Sequence, residues 1–147
     1  MTCIVKNCKI DKFLSVCVWR WIMKIVEVDA HELGILGEAK ALQFLERQGF
    51  VIVGANYKTK LGEIDIIAIK GKTYHFIEVK TRRGTQFGLG CEAISKKKQL
   101  HIKRTAMIYV SDMYQNNVDW DELSFDFIEI YVYNDNTCRI RFIEDAF

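Results

Sequence analysis

Two short apolar runs on either side of a glycine-containing turn constrain this fold more than any other feature. Residues 62–69 read GEIDIIAI, and residues 73–81 read TYHFIEVKT. Both runs are rich in β-branched and aromatic residues, which favour strands, and Lys70-Gly71-Lys72 between them is short enough for a hairpin. The sequence therefore predicts two neighbouring antiparallel strands.

The length of the turn decides which side chains of this hairpin meet. With a two-residue turn at Gly71-Lys72, Asp65 lies opposite Glu78 and Glu63 lies opposite Lys80. A loop of three or five residues would place the two carboxylates on opposite faces. We therefore predict that Asp65 and Glu78 face each other, about 5 Å apart at Cβ, on a largely buried sheet.

Two facing carboxylates repel each other, so a positive charge is expected beside them. Lys80 is one candidate and a divalent cation is the other, because hard cations such as Mg²⁺ prefer carboxylate, carbonyl and water oxygens. A lysine beside such a metal could orient or help deprotonate an attacking water, as metal-assisted phosphodiester hydrolysis requires. The alternative is a cross-strand set of salt bridges. Glu63 is interpreted as a partner of Lys80 or as a surface charge.

The rest of the chain predicts one mixed α/β domain. Helices are expected over residues 33–49 and 95–113, and further strands over residues 50–59, 124–133 and 137–143. The element order is α-β-β-β-α-β-β. A helix between the third and fourth strands permits a right-handed crossover, which would make those two strands parallel. The domain is assigned to residues 31–147, and residues 1–30 form an N-terminal extension of unknown role.

Glu38 is a third candidate carboxylate. It lies on the same stripe of the first helix as Leu42 and Leu45, so we expect it to point at the sheet. A partly buried glutamate near the helix start, where its charge suits the helix dipole, is the alternative.

Charge is unevenly distributed along the chain, although its net value is only +2. Residues 57–104 hold twelve Lys/Arg and four Asp/Glu, a net +8, whereas residues 105–147 hold two and nine, a net −7. A basic segment around the carboxylates favours an anionic partner. Lys98 shares a helical face with Ile102 and Thr105, which predicts that it points inward. The expected contacts to nucleic-acid phosphates are Lys58, Lys60, Arg82, Arg83, Lys98, Gln99 and Lys103.

Several classes of protein are excluded or disfavoured by composition. No run approaches the roughly 18–20 apolar residues of a membrane span. Five cysteines without a CxxC pair predict neither a zinc site nor a disulfide framework, so reduced thiols and a cytoplasmic location are expected. His31, His75 and His101 have no spacing typical of metal ligands, and we expect them to be exposed or partly packed.

A series of motifs extends over about residues 31–132: GEIDII, FIEVKTR, FG, EAI with a following Lys98, and FDFIEI. This series resembles the YraN-like family of uncharacterised proteins. That family looks like a member of the PD-(D/E)xK nuclease superfamily, with a restriction-endonuclease-like fold, and is similar to archaeal Holliday junction resolvases. The resemblance implies that Asp65, Glu78 and the Val79 carbonyl bind Mg²⁺ or Mn²⁺ and that Lys80 assists the water. Glu38 matches the helix glutamate of the resolvase-like branch.

The functional prediction is a divalent-metal-dependent DNA endonuclease, with branched and damaged DNA as candidate substrates. The alternative is a non-catalytic nucleic-acid-binding or scaffold protein that retains the nuclease fold. A resolvase-like enzyme needs two sites and hence a homodimer, for which the sequence identifies no interface. Ser124 stands where the family usually has Arg, a change expected to alter an ion pair with Asp126.

Overall fold

Helices cover both faces of one mixed β-sheet in this protein. The computed structural model describes residues 2–4, 29–84, 94–116, 119–133 and 137–147. The described elements are β1 (Thr2–Ile4), α1 (Ala30–Arg47), β2 (Val51–Thr59), β3 (Gly62–Lys70), β4 (Thr73–Arg83), α2 (Lys96–Gln115), β5 (Glu122–Val132) and β6 (Cys138–Ile143). In these ranges no helix is both long and apolar enough to span a membrane.

The strands of the described residues form one sheet in the order β1-β6-β5-β4-β3-β2. Strands β2, β3 and β4 form an antiparallel meander, β4 and β5 are parallel, and β6 is antiparallel to β5. The predicted order α-β-β-β-α-β-β is therefore confirmed, as is the parallel pairing across α2. The short strand β1 adds to the outer edge of β6, and residues 5–28 of the predicted N-terminal extension lie outside the described residues.

Local capping defines α1. The Asp29 carboxylate accepts hydrogen bonds from two backbone amides of the first turn, at 2.8 and 2.9 Å, so the helix begins three residues before the predicted start. Gly49 ends it as predicted, with φ at +84°. The amide of Phe50 then donates to the Leu45 carbonyl at 3.0 Å, which completes a Schellman motif.

A hydrophobic core lies on each face of the sheet. The α1 face contains Ala41, Leu45, Ile66, Ile77 and Ile128, and the α2 face contains Ile64, Ile67, Phe76, Ile102 and Ala106. Burial on both faces explains why β3 is almost continuously apolar rather than alternating. An acidic side chain within that strand is therefore unusual and calls for a specific environment.

Close packing of α1 on β4 depends on Gly37. A Cβ atom at this position would lie 1.6 Å from the Thr81 hydroxyl oxygen, so any larger residue would push the helix away from the sheet. This contact sets the distance between α1 and the sheet at the position of the next residue, Glu38.

The predicted hairpin register is confirmed. Lys70 pairs with Thr73 and Ile66 pairs with Ile77, as a two-residue turn requires. Ladder pairing ends at this last pair, and the next two residues in the same register are Asp65 and Glu78. The hairpin therefore places both carboxylates where the hydrogen-bonded pairing of β3 and β4 ends.

Candidate metal centre

Asp65 is anchored at the end of the β3–β4 ladder by its own side chain. Its Oδ2 atom accepts a hydrogen bond from the backbone amide of Val79 at 2.8 Å. A carboxylate, rather than a β3 carbonyl, therefore satisfies this amide. The contact places the Asp65 carboxylate beside residues 78 and 79 of β4.

Glu78 lies in the same site and is largely shielded from water. Its side chain is only 14% exposed, and burial, followed by the charge of Asp65, raises the pKa of Glu78 to about 7. Burial also raises the pKa of Asp65, against the lowering effects of the Val79 amide and of Lys98. Both carboxylates are therefore harder to ionise than exposed ones, chiefly because they are buried.

Lys98 is the cation that compensates the pair in the described structure. Its Nζ atom lies 3.2 Å from Glu78 Oε2 and 3.8 Å from Glu63 Oε1. Burial lowers the pKa of Lys98, but the charges of Glu78 and Asp65 outweigh burial and raise it overall. The inward orientation predicted for Lys98 is thus present.

Lys80 does not have the neutralising role that the hairpin geometry suggested. Its side chain is exposed, and no ion pair is found for it within the described part of the chain. Glu63, expected to be a partner of Lys80 or a surface charge, is half exposed and instead contacts Lys58 at 3.5 Å and Lys98. The reason is that α2 packs across this end of the sheet and brings Lys98 nearer than the outward-facing Lys80.

Glu38 points from α1 toward the sheet, as predicted, and lies near Asp65. It is half-buried, and its charge contributes to the raised pKa of Asp65. Its Oε2 atom accepts a hydrogen bond from Asn56 Nδ2 at 3.1 Å. Asn56 is a site residue that the sequence reasoning missed.

Asn56 lies in β2 between two ladder pairs that place it opposite Asp65. Its φ of +52° lies in the left-handed region, which asparagine tolerates better than most residues. The available signal was an asparagine inside a strand, where this residue type is depleted.

The donor set of this site fits a hard divalent cation. Glu78 Oε2 is buried without a hydrogen bond of acceptable geometry, so its contact with Lys98 is an ion pair of poor alignment. A carboxylate oxygen in that state, beside a second carboxylate and a strand carbonyl, is what Mg²⁺ or Mn²⁺ prefers. No group of three His, Cys, Asp or Glu side chains converges within the described ranges. The fit therefore rests on Asp65 and Glu78, with Glu38 nearby.

Four of the predicted phosphate contacts lie on the strands of the β2–β3–β4 meander or in the turn between two of them. Lys58 and Lys60 are exposed at the β2–β3 turn. Arg83 is exposed at the end of β4, and Arg82 is half-buried, with an Nε atom that is buried and has no hydrogen-bond partner. These four residues are called the basic rim below, and Lys58 is linked to the site through Glu63 and Lys98.

Two predicted contacts on α2 are engaged elsewhere. The side-chain amide of Gln99 donates to the Ile94 carbonyl at 3.1 Å, just before the start of the helix. The Lys103 ammonium lies 5.5 Å from the ring centroid of Phe125 and 5.8 Å from that of Phe147. Both positions are typical of cation–π contacts.

A separate buried network lies toward the opposite end of β4. His75 Nδ1 is 2.6 Å from Asp126 Oδ2, and both residues are buried. The Ser124 hydroxyl also contacts Asp126, and it lies 2.8 Å from Asp145 Oδ1. The expectation that His75 is exposed or only partly packed was therefore wrong. The family pattern suggested that an arginine at position 124 would pair with Asp126. In this chain position 124 is a serine, and His75 is the partner of Asp126.

Comparison with known proteins agrees with the motif series. Residues 37–130 match the group described as "Uncharacterised protein family UPF0102". A UPF0102 protein of Caldicellulosiruptor saccharolyticus is 42% identical over 121 residues, which cover 82% of this chain and all of the relative. One from Alkaliphilus metalliredigens is 42% identical over 115 residues, covering 78% and 96%. One from Dictyoglomus thermophilum is 51% identical over 80 residues, covering 54% and 68%. The chain therefore belongs to the UPF0102, or YraN-like, family.

Proposed function

We propose that this protein is a divalent-metal-dependent endonuclease that hydrolyses phosphodiester bonds in DNA. The observation that carries the proposal is the Asp65–Glu78 pair, two largely buried carboxylates whose pKa values are raised. Placing such a pair at the end of a ladder costs folding free energy, and sites of this kind cluster where chemistry is performed. The resemblance to PD-(D/E)xK nucleases supports the same reaction class.

Each residue of the site has a role in this proposal. Asp65, Glu78 and the Val79 carbonyl would hold Mg²⁺ or Mn²⁺, which supplies Lewis acidity and lowers the pKa of a bound water. Lys80 is exposed and not engaged in an ion pair within the described chain, so its ammonium can orient the attacking water. Glu38 would complete the acidic site from α1.

The basic rim would hold the DNA backbone. Lysine and arginine contacts to phosphate supply affinity that does not depend on sequence and weakens with salt. The residues assigned to this role are the four of the rim, Lys58, Lys60, Arg82 and Arg83, together with Lys98. Gln99 and Lys103 would join them only on leaving their contacts with Ile94 and Phe125. Two cuts on a branched substrate would need a homodimer, which light scattering during gel filtration measures. A DNA substrate is also in keeping with a cytoplasmic location.

A cleavage panel tests the enzyme proposal. Purified protein is incubated with linear, nicked, flap and four-way DNA in Mg²⁺ or Mn²⁺, together with Asp65→Ala and Glu78→Gln. We expect cleavage of at least one DNA form by the wild type and at least a hundredfold loss in both variants. Glu46→Gln is the matched control, because it removes an exposed carboxylate of α1 outside the site, and it should retain activity. Folded wild type that cuts no DNA form with any divalent cation would refute the enzyme assignment.

A non-catalytic nucleic-acid-binding or scaffold protein is the second candidate function. It is favoured by the Lys98–Glu78 ion pair, which partly neutralises the site without a metal, and by the lack of a three-residue ligand cluster in the described ranges. Titration with Mn²⁺ by calorimetry separates the two functions. Metal binding that is lost in Glu78→Gln supports the enzyme, whereas salt-sensitive DNA binding without metal binding supports the second function.

A further inference from the structure

A chain of alternating charges leads from the surface to the candidate metal centre. Lys58 contacts Glu63 at 3.5 Å, Glu63 contacts Lys98 at 3.8 Å, and Lys98 contacts Glu78 at 3.2 Å. The exposed fraction of the side chains falls along this series, from 69% through 48% and 33% to 14%. Lys98 is therefore the innermost cation of the series, between an exposed carboxylate and a buried one.

The backbone of Lys98 is held firmly while its side chain keeps freedom. Its amide donates to the Ser95 hydroxyl oxygen at 3.3 Å in the N-cap of α2. One turn later, Ile102 is fully buried in the core of the α2 face. The lysine stem is long and has several rotatable bonds. The ammonium can therefore move from Glu78 to Glu63 without any movement of the helix.

The contact between Lys98 and Glu78 is well suited to exchange. Glu78 Oε2 is buried and receives no well-aligned hydrogen bond, so charge rather than geometry holds the ammonium at this oxygen. That oxygen is also a proposed metal ligand. An ammonium at 3.2 Å from it would repel a second cation placed on the same oxygen, and the repulsion is strong where water is largely excluded.

We propose that Lys98 is a built-in competitor of the divalent cation: its ammonium neutralises Glu78 in the metal-free protein and leaves this carboxylate when the site is loaded. This inference rests on the proposed metal site and extends it. The displaced ammonium has two acceptors, the exposed Glu63 carboxylate and the phosphate backbone of bound DNA. Lys98 thereby sets the affinity for metal and couples metal loading to phosphate binding.

Metal affinity provides the first test. Mn²⁺ and Ca²⁺ are titrated by calorimetry into wild type, Lys98→Met and Lys97→Met. Methionine retains an unbranched stem without the charge. Lys97 is the neighbouring lysine on α2 and is exposed, so its variant controls for the loss of one positive charge. We expect Lys98→Met to bind Mn²⁺ at least tenfold more tightly than wild type, and Lys97→Met to remain within twofold.

Chemical reactivity provides the second test, independent of activity. Lysine acylation by acetic anhydride is followed by mass spectrometry, with Lys97 as the internal reference. Acylation of Lys98 should rise at least threefold when Mn²⁺ is added to wild type. In Glu78→Gln it should be high with or without metal.

The outcomes distinguish failure of this inference from failure of the proposed function. A wild type that binds no Mn²⁺ would overturn the metal site itself. A wild type that binds Mn²⁺, with Lys98→Met binding it equally or more weakly, would overturn the role of Lys98 alone. Unchanged Lys98 acylation on metal binding would do the same. Thermal unfolding in EDTA checks folding: Lys98→Met should melt below wild type and recover with Mn²⁺.

Discussion

Replacing Glu78 with glutamine should stabilise the metal-free protein while abolishing metal binding. Burial and the charge of Asp65 disfavour the ionised form of Glu78 in the folded protein, and glutamine resembles the protonated form in size and shape. A substitution that improves folding and removes function is typical of a site where unfavourable charge is retained for use.

The magnitude follows from the pKa of Glu78, which the fold raises from 4.5 to about 7. A group with a raised pKa contributes fully to stability below its unfolded pKa, and the contribution is lost as the pH rises through its folded pKa. At 1.36 kcal/mol for each pH unit, the wild type loses about 3 kcal/mol between pH 4.5 and pH 8 relative to a neutral side chain. For a chain of this size, that difference corresponds to about 6–12 °C in Tm.

Urea denaturation in EDTA at pH 4.5 and pH 8 measures this difference. Glu78→Gln should match wild type at pH 4.5 and be more stable by about 1–3 kcal/mol at pH 8, the lower value applying if the site relaxes. The control Glu46→Gln should remain within about 0.5 kcal/mol at both values, because Glu46 is exposed. A Glu78→Gln protein that is less stable than wild type at pH 8, or whose effect does not change with pH, would refute the reasoning.

Three further predictions concern the same site and its scaffold. Metal binding should release about 0.9 proton from Glu78 at pH 6 and about 0.1 proton at pH 8. Calorimetry in buffers of different ionisation enthalpy measures this release. Equal proton release at pH 6 and pH 8 would contradict the raised pKa of Glu78. Gly37→Ala should lower stability by about 1–3 kcal/mol in urea denaturation, and Thr81→Ala should restore part of that loss, because the new Cβ would meet the Thr81 hydroxyl. His75→Ala should lower stability by about 2–4 kcal/mol, because it removes the partner that lies 2.6 Å from the buried Asp126. The affinity for Mn²⁺ should not change. A loss of stability below about 1 kcal/mol would show that the His75–Asp126 pair is not structural.

The parts of the site that lie within one element, or across one tight turn, were predictable from the sequence. Asp65 and Glu78 meet because a two-residue turn and the period of two along a strand determine the register. Lys98 points inward because helical spacing aligns it with Ile102, which is buried. The parallel pairing of β4 and β5 followed in the same way from the helix between them.

Contacts between distant elements were not predictable from local patterns. Asn56 reaches Glu38 across 18 residues of sequence, and His75 reaches Asp126 across 51. No spacing rule predicts such pairs, because they depend on how closely α1 packs on the sheet and on which strands become neighbours.

The sequence by itself determined that two carboxylates face each other at one end of an apolar hairpin. Only the tertiary structure decided which cation neutralises these carboxylates. Periodicity assigns a side chain to a face of its own strand or helix, whereas neutralisation depends on the distance between charges on different elements. Because α2 packs across this end of the sheet, Lys98 reaches Glu78 at 3.2 Å, while Lys80, two residues along the same strand, remains exposed.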